Sequence, residues 1–177
     1  SLTWDGTAKA SNYTVADTIG TLEVTAANIT DTARFTVSQP ADVVYNGLEQ
    51  RQDVTVADSK TGEDLAEGAD YTLAYSDDAT NVGTVTVTVT GTGNYAGEVV
   101  RTYQITPATL TVTTPSASKV YDGTALTADG TISGLVNGET ATFATTGTQT
   151  AKGSSDNTYS LTWDGTAKAS NYTVADT

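Results

Sequence analysis

Hydrophobic and polar residues alternate with a period of two along most of this chain. In Gly83-Thr84-Val85-Thr86-Val87-Thr88-Val89-Thr90-Gly91 the valines share one face and the threonines the other, which predicts a half-buried antiparallel strand closed by glycine. The same reading predicts strands over 71–75, 99–105, 110–112 and 21–24, with Val85, Val87, Val89, Tyr71, Leu73 and Ile105 facing a core and Thr84, Thr86 and Thr88 facing out. Turn signals separate the runs at short intervals: Asp5-Gly6, Tyr45-Asn46-Gly47, Gly91-Thr92-Gly93-Asn94, Asp122-Gly123 and Asn137-Gly138. Many short strands at that spacing predict an all-β sandwich or barrel. Residues 61–68 carry acids near their start and Gly at their end, and read as a loop with room for one helical turn.

The pattern is also repeated. Residues 1–18 recur letter for letter as residues 160–177, solvent-facing Thr and Lys included. Identity over that length reads as one period of a tandem array with a short overlap into the next copy; an end copied by cloning or permutation is the alternative. Two units follow, meeting at Pro107. The first spans 26–107, and the second spans 108–177, with its strand near 109–113 mirroring 34–38 of the first. Residues 1–25 then read as the tail of a preceding copy of the second unit. They end in the closing strand, residues 20–25, that the unit at 108–177 lacks.

Composition narrows the class. The chain has 177 residues and no Cys, Met or His. Without Met it reads as a partial or processed chain, and without Cys there is neither a disulfide framework nor a thiolate metal site. A net charge of −13, from 8 basic against 21 acidic residues, opposes nucleic acid and anionic membranes by repulsion. No apolar run is long enough to span a bilayer, so no membrane insertion is expected in this segment.

Several spaced motifs, in order, resemble known bacterial repeats. Lys119-Val120-Tyr121-Asp122-Gly123-Thr124, Gly134-Leu135-Val136-Asn137-Gly138-Glu139, Asn157-Thr158-Tyr159-Ser160 and Asn171-Tyr172-Thr173-Val174 are similar to the YDG repeat. Val44-Tyr45-Asn46-Gly47, Gly68-Ala69-Asp70-Tyr71, Asn81-Val82-Gly83-Thr84 and Gly93-Asn94-Tyr95-Ala96-Gly97 resemble the related MBG-type bacterial Ig-like repeat. The resemblance implies two tandem Ig-like antiparallel β-sandwich modules arranged end to end. It also implies the stalk of a large adhesin or extracellular filament on the bacterial cell surface, and it supplies neither ligand nor catalytic residues.

Candidate chemistry is sparse. A Ser or Thr nucleophile lacks a His base, and no Ser-x-x-Lys or nucleophile elbow is present, so no catalytic residue and no cofactor are expected. Adjacent carboxylates in Glu63-Asp64 and Asp77-Asp78 point to opposite faces of an extended chain and read as solvated charge rather than a glycosidase pair. Asp77, Asp78 and Asn81 in one loop, and Asp58, Glu63 and Asp64 in another, supply oxygen ligands without the spacing of a dedicated calcium loop; no metal site is expected. Lys119, Lys152 and Lys168 with Asn157 or Asn171 offer the atoms of a Lys to Asn isopeptide cross-link, against the plainer reading of lysines as edge guards. Tyr45, Tyr95, Tyr121, Tyr159, Tyr172, Trp4 and Trp163 read as core corners before they read as a sugar platform. Asn12-Tyr13-Thr14, Asn28-Ile29-Thr30 and Asn171-Tyr172-Thr173 match the N-glycosylation pattern, as a Thr-rich chain does by composition. The expected role is a stalk repeat that gives length and mechanical strength. Its expected partners are neighbouring repeats or other copies, with head-to-tail strand donation open to it and any ligand unknown. A glycan- or protein-binding module is the rival.

Overall fold

In this computed structural model, residues 3, 6–16, 18–76 and 78–176 are described. In chain order the strands are β1 (Ala27–Asn28), β2 (Phe35–Val37), β3 (Val43–Val44), β4 (Val56–Asp58), β5 (Glu63–Asp64), β6 (Tyr71–Tyr75) and β7 (Gly83–Gly91). They continue as β8 (Tyr95–Ala96), β9 (Glu98–Thr106), β10 (Ala108–Thr113), β11 (Thr131–Ser133), β12 (Thr142–Thr145), β13 (Tyr159–Thr162) and β14 (Tyr172–Asp176). Two 3-10 turns, Ala10–Asn12 and Ala169–Asn171, are the described helical elements. The chain is all-β and built from several small sheets.

Every described strand pairing stays on one side of Pro107. Before it, β3-β9-β7-β6 form one sheet, β2-β4-β5 a second, and β1 lies parallel to β8. After it, β11-β10-β14 and β12-β13 form separate sheets. The Thr/Val alternation sets the register of the largest sheet: Val85, Val87 and Val89 are fully buried, β6 lies on one edge of β7 and β9 on the other. Tyr71 and Ile105 are buried as expected, Leu73 is half-buried, and Phe35, Val37 and Val56 from the second sheet enter the same core.

A row of tyrosines ties that core to a segment without ladder bonds of its own. Tyr103, Tyr75 and Tyr71 donate their hydroxyls to the carbonyls of Gln50, Gln52 and Val54 at 2.5, 2.8 and 3.0 Å, taking alternate carbonyls of one extended stretch. Beneath the second sheet the Asp58 carboxylate, almost fully buried, accepts a two-pronged bond from Arg34, Nε at 2.9 Å and a terminal nitrogen at 2.7 Å. That guanidinium, aided by the Lys60 amide, holds the carboxyl down at about 2. Asp58 therefore serves as an anchor for Arg34 and not as part of an oxygen cluster.

Two local expectations change. Residues 61–68 contain no helical turn; Glu63 and Asp64 pair with Asp58 and Ala57 as a short, acidic edge strand, a charged edge being a poor template for unwanted pairing. Residues 20–25 form no strand, and Leu22 and Val24 are each 99% exposed. A strand exists through its ladder partner, and in this chain that segment has none to pair with. Trp4 and Asp77 lie outside the described residues.

Candidate functional site

Only Pro107 separates β9 from β10, and a dense set of contacts surrounds that crossing. On the first side stand the segment after β3, anchored by the Tyr45 amide on the Thr106 carbonyl at 2.8 Å, and the loop 78–82 that leads into β7. On the second side stand the turn 136–139 and the segment 163–172. The turn is dictated locally: Asn137 and Gly138 both take positive φ, 50° and 70°, and the Glu139 amide closes back on the Val136 carbonyl at 2.9 Å. The segment 163–172 is stitched to its neighbour by Ala167 N–H to Thr140 O at 3.1 Å and Thr140 N–H to Thr166 Oγ1 at 3.0 Å. Gly165 passes so close to the Thr140 carbonyl that a Cβ would collide with it.

At the centre Glu139 receives two tyrosines. Tyr45, from before Pro107, donates to Oε1 at 2.5 Å, and Tyr172, from after it, donates to Oε2 at 2.5 Å. The rings of the two tyrosines meet edge to face at 5.6 Å, and Trp163 stacks on Tyr172 at 5.5 Å. Beside them Asn171, fully buried, accepts from the Val82 amide at 3.1 Å and donates to Asn81 Oδ1 at 2.9 Å. Asn81 is itself positioned by Asp78, whose carboxylate accepts from the Thr80 and Asn81 amides and from the Asn81 side chain. Asn137 donates to the Gly47 carbonyl at 3.0 Å. Gly47 is required there, because its φ of 78° favours glycine and a Cβ would run into Asn137.

Burial, then the bond to Glu139, pushes the Tyr172 hydroxyl up to about 12 and raises Tyr45 in the same direction. A group whose folded pKa lies above its ordinary 10.0 stabilises fully below that value and loses the contribution as pH climbs through the folded value. The contact is expected to hold at neutral pH and to open between pH 10 and about 12. Tyrosinate absorbance and hydrodynamic size, followed together, should change in one step, and ionisation without expansion would show that the contact does not depend on these hydroxyls.

The structure gathers some of the residues singled out by sequence and scatters others. Tyr45, Tyr172, Trp163, Asn171, Asn81, Asp78 and Lys168 meet at this crossing. Tyr121, by contrast, is 70% exposed. Lys168 and Asn171 both donate to Asn81 Oδ1, the lysine at 3.2 Å, so the amine lies against a different asparagine from those offered for a cross-link. Lys119 instead pairs with Asp122 at 2.9 Å. Among the described residues no three acidic groups gather as metal ligands. Glu139 was quoted only as the last residue of the Gly134–Glu139 motif and given no role, because its two partners, Tyr45 and Tyr172, lie 94 and 33 residues away.

The family model of the MBG domain (YGX type) matches residues 110–177. Residues 110–177 match an MBG-type repeat. The match falls on the segment read from sequence as the YDG-like unit, and it includes Asn137, Glu139, Asn171 and Tyr172, the MBG-domain half of the crossing. Neither the curated proteins nor the solved structures contain a match to this chain.

Proposed function

We propose that the chain is a piece of the stalk of a bacterial surface adhesin or extracellular filament. In this reading two Ig-like β-sandwich modules, 26–107 and 108–177, stand end to end, and residues 1–25 are the tail of a preceding module. The observation that carries it is the crossing at Pro107: a one-residue link flanked by buried, hydrogen-bonded contacts from both sides. Such a joint fixes the angle between neighbours, and an array of fixed joints projects a tip away from a surface without chemistry of its own. The duplicated ends supply the second support, since tandem repetition is how such length is made.

Small-angle scattering tests the reading. An elongated particle with a well-defined interdomain vector is expected; a globular profile, or one requiring free rotation between two bodies, would remove the stalk. The binding-module alternative predicts instead that an added glycan or protein protects the aromatic residues of an exposed face from hydrogen exchange or labelling.

A further inference from the structure

Ahead of Pro107, residues 27–45 and residues 94–106 run side by side in the same direction. Ala27–Asn28 lies parallel to Tyr95–Ala96, and Val43–Val44 lies parallel to Ile105 and Thr106. Between these two short ladders the contacts continue in one order. The Ala27 and Ile29 amides donate to the carbonyls of Asn94 and Ala96 at 2.9 and 2.8 Å. Arg101 donates a terminal nitrogen to the Val37 carbonyl at 3.1 Å, Gln39 Nε2 donates to the Thr102 carbonyl at 2.5 Å, and the Gln104 amide donates to Asp42 Oδ1 at 2.7 Å. Thr106 closes the series: its hydroxyl donates to the Val43 carbonyl at 3.1 Å, and its carbonyl accepts from the Tyr45 amide at 2.8 Å.

Side chains carry the middle of this seam because the backbone bows away there, where β2 leaves to pair with β4 in the second sheet. The direction of the two stretches decides what tension does to them. Pulling on the chain at either side of the segment draws Ala27 backward and Thr106 forward, so the parallel partners slide along each other and the bonds across the slide are strained together. The β6–β7 hairpin lies inside the pulled segment and feels no tension until the seam parts. Tyr45, the last residue of the seam, also gives its hydroxyl to Glu139, so tension leaving at Thr106 passes directly to the crossing. The same entry recurs beyond Pro107, where Ala108 begins β10 parallel to Tyr172 as Ala27 begins β1 parallel to Tyr95.

We infer that the seam between 27–45 and 94–106 is the element that resists stretching of this chain, and that Gln39 and Asp42 fasten it. Both side chains are exposed, so neither is held by a core, and each bonds a main-chain group of β9 across the seam. Forced unfolding follows the rate of unfolding rather than equilibrium stability. Interactions broken on the way to the transition state set that rate, and interactions still intact there leave it unchanged. Under tension the seam bonds belong to the first group and the bonds of the β6–β7 hairpin to the second.

The inference rests on the stalk reading for its purpose but is tested apart from it, because scattering reports the joint at Pro107 whether or not the seam resists force. The chain has no cysteine, so Thr25→Cys and Thr109→Cys, both at exposed positions, attach the whole chain to a force probe on either side of the seam. At constant force, Gln39→Ala with Asp42→Ala should speed rupture about tenfold or more, the scale of two ordinary hydrogen bonds lost from the barrier. Ser76→Ala with Thr92→Ala removes two bonds of the same kind from the β6–β7 hairpin, one received from the Thr86 amide and one given to the Ala69 carbonyl. That pair should lower the melting temperature as the seam pair does, yet change the rupture rate by less than about twofold. Equal acceleration by the two pairs, or a seam pair that ruptures at the native rate, overturns the proposal.

Discussion

Val85→Asp is expected to unfold the sheet β3-β9-β7-β6 and its core at temperatures where the native chain is fully folded. Val85 is completely buried and sits directly across from Tyr103 in the β7–β9 register, with no basic side chain opposite it. A carboxyl placed there must either carry an unpaired charge or protonate and remain without partners, at a cost of about 3 kcal/mol or more. That lowers the melting temperature by roughly 10 °C or more on the scale of a domain of about 80 residues. Thr84, one position away, faces solvent and hydrogen-bonds to Gln104, so Thr84→Asp should move the melting temperature by only about 2–4 °C, corresponding to about 0.5 kcal/mol. Thermal denaturation followed by circular dichroism compares the pair, and equal losses would mean that the two faces of β7 are misassigned. Val87 is a poorer site for the test, since Arg101 lies opposite and can rescue an acid there.

The second large effect is expected at the crossing. Tyr172→Ala removes a ring in contact with both Tyr45 and Trp163 and leaves a cavity beside the Tyr45 hydroxyl and Glu139, for which about 3–5 kcal/mol is the usual scale. The loss should appear as separation of one unfolding transition into two, and as added flexibility in scattering, since Tyr172 contacts Tyr45 from before Pro107 as well as Glu139 and Trp163 after it. Tyr172→Phe keeps both ring contacts and forfeits the bonds at the hydroxyl, at about 1 kcal/mol. If calorimetry shows the alanine variant still melting in a single unshifted transition, the segments before and after Pro107 are not coupled through this tyrosine.

The longest regular elements were legible because their information is local. The alternation of 83–91 names its own buried face, and Asn137-Gly138 names a turn with two positive φ angles. What that turn is for was not legible. It joins no paired strands; it carries Asn137 to Gly47 and Glu139 to Tyr45, contacts across about ninety residues that no local pattern announces. The tyrosine row over residues 50–54 was hidden for the same reason, and two-residue strands such as β1, β3 and β5 are defined by their partners more than by their own residues. Asp58, grouped from sequence with Glu63 and Asp64 as an oxygen donor without calcium-loop spacing, has its carboxylate taken by Arg34, a partner 24 residues away that no local pattern announces.

The duplicated segment separates the two sources of structure within one molecule. Ala10–Asn12 and Ala169–Asn171 make the same 3-10 turn, entered from Lys9 at φ −109°, ψ 130° and from Lys168 at φ −106°, ψ 128°. Identical residues fold identically at short range, because the i to i+3 bond and the backbone preferences that set it lie within the segment. Their burial then diverges: Asn12 is exposed and Asn171 is fully buried, and Tyr13 is 59% exposed where Tyr172 is 7%. The sequence by itself determined the turn, the alternation and the repeat. Whether a given asparagine becomes a surface residue or a buried hydrogen-bonded one was decided only by the tertiary structure, since the Asn81 amide, the Val82 N–H and the Glu139 carboxylate that bind the second copy come from distant parts of the chain.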